Sequence, residues 1–304
     1  MRVALIATDR VAQALEPLRA AWAARGWEVE LQAPDGLVAS AEQLHKAAAR
    51  AEALLSVGSG RVSPRSALPG VALERHDGTR IPCAWLPDQG DAAITAFARS
   101  AARAHARRGS TQSLAVLAQW SPRYLRLAGR VIGRARELGS PVWPWTADLL
   151  TREDMAEGLG CGVGAAMYVG HGRPVGWVGY HGTRIAHLTQ FSVEPLGALL
   201  NLCCLTASRW RCATSFAEAL VLGGVAASSL ASCVRTLHTE STRWAVALTE
   251  ALASRPPSVG AWVLAGTPVN TTCTTSWRLI GDPTAPLRDA VEAPARAAQV
   301  KVWP

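Results

Sequence analysis

The sequence predicts an α/β fold: a three-layer α/β/α sandwich around a mostly parallel sheet, arranged as two tandem α/β subdomains. Two observations predict it. Short apolar runs of strand length alternate with stretches of helical period along most of the chain. The alternation pauses after the basic stretch Arg99 to Arg108 and restarts at Ser113, which sets a boundary near Gly109 between a unit 1–108 and a unit 109–304.

In the first unit, RVALIA (Arg2 to Ala7) has a strand's length. The following VAQALEPLRAAWAARG keeps helical spacing until Gly26, and EVELQ (Glu28 to Gln32) alternates as a strand does. Ser40 opens a helix running to Ala51, with Gln43 three residues on as a capping box. ALLSVGSG reads as a buried strand closing on glycines, IPCAWLP (Ile81 to Pro87) as another strand, and Asp91 to Arg108 as a helix begun by Asp91. The order β-α-β-α-β-β-α signals parallel strands with helices packed on them.

In the second unit, SLAVLAQ (Ser113 to Gln119) is a strand and RYLRLAGRVIGRARELG a helix ending at Gly139. After a Pro- and Trp-rich turn, Thr151 to Gly160 forms a short helix with its acids near the positive end of the dipole. Strand AAMYVG, strand ALLNLCC, helix SFAEALVLGG, strand VAASSL and helix TRWAVALTEALAS follow, and Ser276 to Leu287 reads as a terminal element and turn.

With 304 residues, 49% hydrophobic and 18% charged, the chain can bury a substantial core. A net charge of +8 would suit nucleic acid, but the arginines are scattered and their densest run reads as the solvated face of a helix, so no nucleic acid partner is expected. Seven cysteines, an odd number without regular spacing, read as reduced thiols. The apolar run before Asp9 is too short for a signal peptide, and no uncharged apolar stretch reaches the ~18 residues of a membrane span. A cytoplasmic protein with no membrane partner is expected.

Chemistry concentrates at two strand ends. Sites in open α/β sheets form beyond the carboxyl ends of strands. AAMYVG delivers His171 there and ALLNLCC delivers Cys203 and Cys204, so adjacent parallel strands would set an imidazole beside a thiol. A thiol nucleophile needs such a base, because the thiolate attacks. Alternation puts the two cysteines on opposite faces. Cys204, last in the apolar run and next to polar loop residues, is the better nucleophile. Gly172 leaves room for a substrate carbonyl, and its N–H could join that of Cys204 as an oxyanion hole.

These residues resemble a family. YVGHG with Trp177, and NLCCLTASRWRCATSFAEALVLGGVAASS, look like the catalytic half of gingipain-type peptidases in the caspase-like clan of cysteine proteases. The matching features are His171-Gly172 with a Trp a few residues on, Cys203-Cys204 at a strand end, the helix Phe216-Ala217-Glu218-Ala219-Leu220, and a terminal Gly281-Asp282-Pro283. Strong resemblance covers Tyr168 to Leu230. It implies a caspase-like fold whose first 108 residues are catalytically silent, Cys204 as nucleophile, His171 as general acid/base, and Gly172 with the Cys204 amide as oxyanion donors. Trp177 and Cys203 are assigned to the substrate-binding region. For an acidic residue reading a basic P1 side chain, Asp148, Asp154 and Glu194 are the candidates. The implied function is an intracellular endopeptidase with a specific protein substrate, such as an effector encoded nearby in a bacterial defence or cell-death operon.

Other motifs fail on context. GLGCGVGAA (Gly158 to Ala166) precedes a strand and so is no dinucleotide loop, and His238-Thr239-Glu240 lacks the Pro-Cys-x-x-Cys of zinc deaminases. Cys161, Cys212, Cys233 and Cys273 lack metal-ligand spacing, so neither metal nor cofactor is expected. His45, His76, His105, His187 and His238 read as solvated or packing residues without partners, and His181 as a turn residue close to the His171 loop. The alternatives are a pseudo-peptidase or nucleotide-sensing scaffold without activity, and a hydrolase of small amides using the same dyad.

Overall fold

The computed structural model describes residues 1–268 and 275–301. The strands are β1 (Arg2–Ile6), β2 (Glu28–Gln32), β3 (Ala53–Ser59), β4 (Ala72–Glu74), β5 (Arg80–Asp88), β6 (Leu114–Ala118), β7 (Val142–Pro144), β8 (Ala165–Val169), β9 (Gly172–Arg173), β10 (Gly176–Trp177), β11 (Leu196–Leu202), β12 (Ala226–Ser232) and β13 (Trp277–Gly281). The helices that matter for packing are α1 (Asp9–Ala14), α2 (Glu16–Ala23), α3 (Ala41–Ala48), α4 (Asp91–His105), α5 (Pro122–Glu137), α6 (Arg152–Leu159), α7 (Phe216–Leu222), α8 (His238–Ala251) and α9 (Val259–Ala265).

One sheet runs through the molecule in the order β2-β1-β3-β5-β13-β12-β11-β8-β6-β7, with β4 paired to β5 beside this path. Neighbours along the path are parallel except β12 and β13, which are antiparallel. The sheet therefore consists of two parallel blocks of opposite sense. The carboxyl ends of β6, β8, β11 and β12 emerge together at one edge; those of β1, β3 and β5 emerge at the other. β13, late in the sequence, crosses back to pair Leu279 with Ala84 and Ile280 with Trp85.

The layers follow from strand alternation. Leu114, Val116 and Ala118 of β6 join the core that includes Leu127 and Val131 of α5. Ala115 and Leu117 join the opposite core with Met155 and Leu159 of α6 and Phe216 of α7. A mostly parallel sheet between two helical layers is the α/β/α architecture expected from the sequence.

Local differences have physical causes. The first helical stretch is two helices, because Pro17 starts a second one after Leu15. Ser40 Oγ caps Gln43 N–H, but the Gln43 side chain turns to Asp35 N–H and Ala33 C=O instead of closing a capping box. The helix expected from Thr242 begins at His238, where Glu240 accepts from Leu237 N–H. His105, expected to lack a partner, is buried against Asp282 at 2.7 Å, and Asp282 also accepts from Thr284.

Candidate active site

β8 and β11 are direct neighbours, pairing Asn201 with Tyr168 and Leu202 with Val169. His171 and Cys204 each lie two residues past the last pair. Val169 and Leu202 belong to the core on the α5 side, so continuing the alternation turns both His171 and Cys204 toward that same face. The contacts agree with this reading. His171 meets residues of α5, and Cys204 meets the segment that leads into α8.

The His171 backbone is fixed on both sides. Its N–H donates to Gln119 Oε1 at 2.8 Å, and its carbonyl accepts from the Tyr168 hydroxyl and Val178 N–H. The imidazole stands edge-on to the Tyr124 ring, and Tyr124 in turn stands edge-on to His238. Nε2 lies 2.9 Å from Arg123 Nη2 and 3.4 Å from the Tyr124 hydroxyl. Burial, then the positive charge of Arg123 and the neighbouring His238, hold the His171 pKa below the usual imidazole value, which favours the neutral base.

Cys204 is half-buried. Its sulfur accepts from Thr236 N–H at 3.3 Å and lies 3.5 Å from both Thr236 oxygens. The next residue, Leu205, has a left-handed φ of 63°, and Tyr180 and His181 in the loop beyond β10 have φ of 56° and 57°. Such conformations cost non-glycine residues free energy and persist only where neighbours enforce them. Here the Tyr180 hydroxyl donates to Trp145 C=O, and Leu205 N–H donates to Val234 C=O.

Gly172 lies directly against the cysteine turn. A Cβ on it would sit 2.4 Å from the Cys204 carbonyl oxygen and 2.6 Å from Cys203 Sγ, so only glycine fits. Cys203 faces the opposite core at 1% exposure, and burial pushes its thiol pKa up. Trp177 is equally enclosed at 2% exposure. It stacks on Tyr168 at 4.3 Å, meets Phe216 edge-on, and donates from Nε1 to Asn201 Oδ1 at 2.8 Å. Both side chains support the site from beneath.

A cavity of about 540 Å³ opens beside Gln119 and Val178, lined also by Trp120, Asp148, Tyr180 and His181. Among the acidic candidates, the structure brings only Asp148 to this cavity's wall with its carboxylate exposed. The Asp154 carboxylate accepts from the hydroxyl of Thr151, the cap of its own helix. Glu194 lies before the start of β11, at the far end of the strand from Cys204, and pairs with Arg103. Among the described residues no cluster of His, Cys, Asp or Glu could hold a metal ion; Cys273 lies outside them. No described helix is long and apolar enough to cross a membrane.

Sequence reading missed Gln119, Arg123, Tyr124 and Thr236. Arg123 and Tyr124 looked like ordinary first-turn residues of a helix. What places them is the parallel pairing of β6 with β8, which brings the start of α5 to the His171 strand end.

The loop that follows Cys204 is held by an ion pair. Glu218, wholly buried in α7, closes a capping box with Ser215 and receives Arg209 through both oxygens, while Trp85 Nε1 also donates to it. The Phe-Ala-Glu-Ala-Leu segment thus anchors the turn carrying the thiol.

Several solved structures share this fold. The structure of a protease aligns over 95% of this chain and 79% of its own, with a TM-score of 0.72 and 16% identity. The arginine-specific cysteine proteinase gingipain R (RgpB) aligns over 95% of this chain and 79% of its own, with a TM-score of 0.70 and 14% identity. The complex of the Porphyromonas gingivalis RgpB pro- and mature domains gives 0.70 and 14%, over 96% and 81%. No curated protein matches the sequence. The model of peptidase family C25 matches residues 118–288, more than half of the chain and the whole of the strand edge described above. The chain therefore belongs to peptidase family C25, the gingipain-type cysteine peptidases of the caspase clan.

Proposed function

We propose that the chain is an endopeptidase whose catalytic dyad is His171 and Cys204. The observation that carries this reading is the pairing of β8 with β11, with both residues two positions beyond the last rung and on one face. Cys204 attacks the scissile carbonyl and its proton passes to His171. The imidazole then protonates the leaving amine, and water hydrolyses the acyl-enzyme. The N–H groups of Gly172 and Cys204 receive the oxyanion. Trp177 and Cys203 shape the substrate side by holding the hairpin and the thiol turn in place. For the chemistry to start, Arg123 must leave His171 and Thr236 must leave the sulfur.

Residues 1–108 form a catalytically silent unit that supports the catalytic unit 109–304, consistent with their strand ends lying at the opposite sheet edge. The substrate is a particular protein in the cytoplasm, an effector released by one cut in a defence or cell-death system. No cofactor takes part. The test is Cys204→Ala in the full chain, read by labelling with a peptidyl acyloxymethyl ketone and by fragment sequencing after a proteome digest. Loss of both labelling and new termini is expected. Cleavage that survives the substitution would overturn the dyad.

A further inference from the structure

Arg123 is a cation at the reaction centre that meets no anion among the described residues. It is the second residue of α5, exposed, with its guanidinium 4.6 Å over the Tyr124 ring. Its Nη2 donates to the Tyr124 hydroxyl and faces His171 Nε2, both at 2.9 Å. Neither partner carries negative charge, and among the described residues no carboxylate pairs with Arg123. Among the described residues, eight other arginines do have such partners.

The chemistry of this contact is one-sided. A guanidinium stays protonated and has no acceptor, so Arg123 must donate to the Nε2 lone pair. That holds the imidazole in the tautomer protonated at Nδ1 and occupies a nitrogen able to take up a proton. An imidazole uses one N–H of the guanidinium fork, whereas a carboxylate can use two with full charge complementarity. The amino-terminal end of the 16-residue α5 adds positive potential at the same place, since Ser121 supplies no side-chain cap.

We propose that Arg123 is a specificity-determining residue, receiving the carboxylate of an Asp or Glu that directly precedes the scissile bond. The inference rests on the dyad reading above. The side chain nearest the scissile carbonyl belongs to the residue that carries it, and Arg123 touches the very imidazole that serves that carbonyl. Binding the carboxylate draws the guanidinium away from His171 and frees Nε2, so the correct substrate also releases the base. Asp148, on the wall of the neighbouring cavity, would draw the opposite kind of side chain, which makes the choice open to measurement.

The test uses three acyloxymethyl ketones of one peptide scaffold carrying Asp, Ala or Arg beside the warhead. Labelling rates at Cys204 are read by intact mass for the wild type, R123A and R123E, with thermal melting to confirm folding. The wild type should react with the Asp probe at least tenfold faster than with either other probe. R123A should erase that preference, and R123E should turn it toward the Arg probe. Equal labelling or an Arg preference in the wild type would overturn the inference while leaving the dyad intact. A uniform fall for all three probes in R123A would also overturn it, because Arg123 would then be positioning His171 only. If no probe labels the wild type, the dyad reading fails and this inference falls with it.

Discussion

Trp177 Nε1 donates a 2.8 Å hydrogen bond to Oδ1 of Asn201, tying the hairpin after His171 to the strand that carries Cys204. Both residues are buried, and the Asn201 amide nitrogen is itself committed to Ser229 on β12. The bond therefore links three strands, β10, β11 and β12. Trp177→Phe keeps most of the aromatic packing but leaves a buried acceptor unpaired, which costs about 1–3 kcal/mol. A lower melting temperature is expected, with slower labelling of Cys204. Unchanged values for both would show that the link contributes nothing.

Gly172→Ala should be worse for activity than for folding. The added methyl meets the Cys204 carbonyl at 2.4 Å, and a backbone atom cannot swing aside as a side-chain tip can. The cysteine turn has to shift. Labelling of Cys204 should fall by about 100-fold, the scale on which ångström displacements act, while far-ultraviolet circular dichroism stays native.

The pH profile should carry the environment of His171. Its pKa is lowered by burial first, then by Arg123 and His238. The acid limb of labelling by the Ala probe should therefore lie below the ordinary imidazole value of about 6.5. R123A and H238A each remove a like charge and should move the limb upward. The sign for stability follows from the same shift. Between the lowered folded value and the ordinary one the unfolded state binds more protons, so stability is kept above the ordinary value and lost as pH falls through that window. A limb at or above 6.5 in the wild type would contradict the placement of Arg123.

Alkylation should separate two adjacent thiols. Cys204 is half-buried at the strand tip, whereas Cys203 is enclosed and its pKa is raised by burial. Burial also pushes Cys83 up to about 12 and Cys233 to about 11. Brief iodoacetamide treatment of the native chain, mapped by peptide mass, should modify Cys204 and leave Cys203, Cys83 and Cys233 intact. Modification of Cys203 at a comparable rate would show the turn to be open.

Local pattern was enough to find most of what lies along the chain. Strand lengths, helical periods and the histidine and cysteine at two apolar run ends follow from burial, and burial leaves its period in the sequence. The resemblance of Tyr168 to Leu230 to gingipain-type peptidases rested on contiguous residues for the same reason. Local pattern fails in detail near the amino terminus, where Pro17 divides a helix that apolar spacing alone makes continuous.

Sequence by itself determined the α/β class, the family and the two residues worth testing. Only the tertiary structure decided what surrounds them. It turned β13 back to join β5, reversing one block of the sheet against the other, and it buried His105 on Asp282 across 177 residues of chain. It also delivered Arg123 and Tyr124 to His171 through the pairing of β6 with β8. The physical reason is common to all three. A contact between distant segments is set by strand order and register, and neither leaves a period or a spacing in the segments themselves.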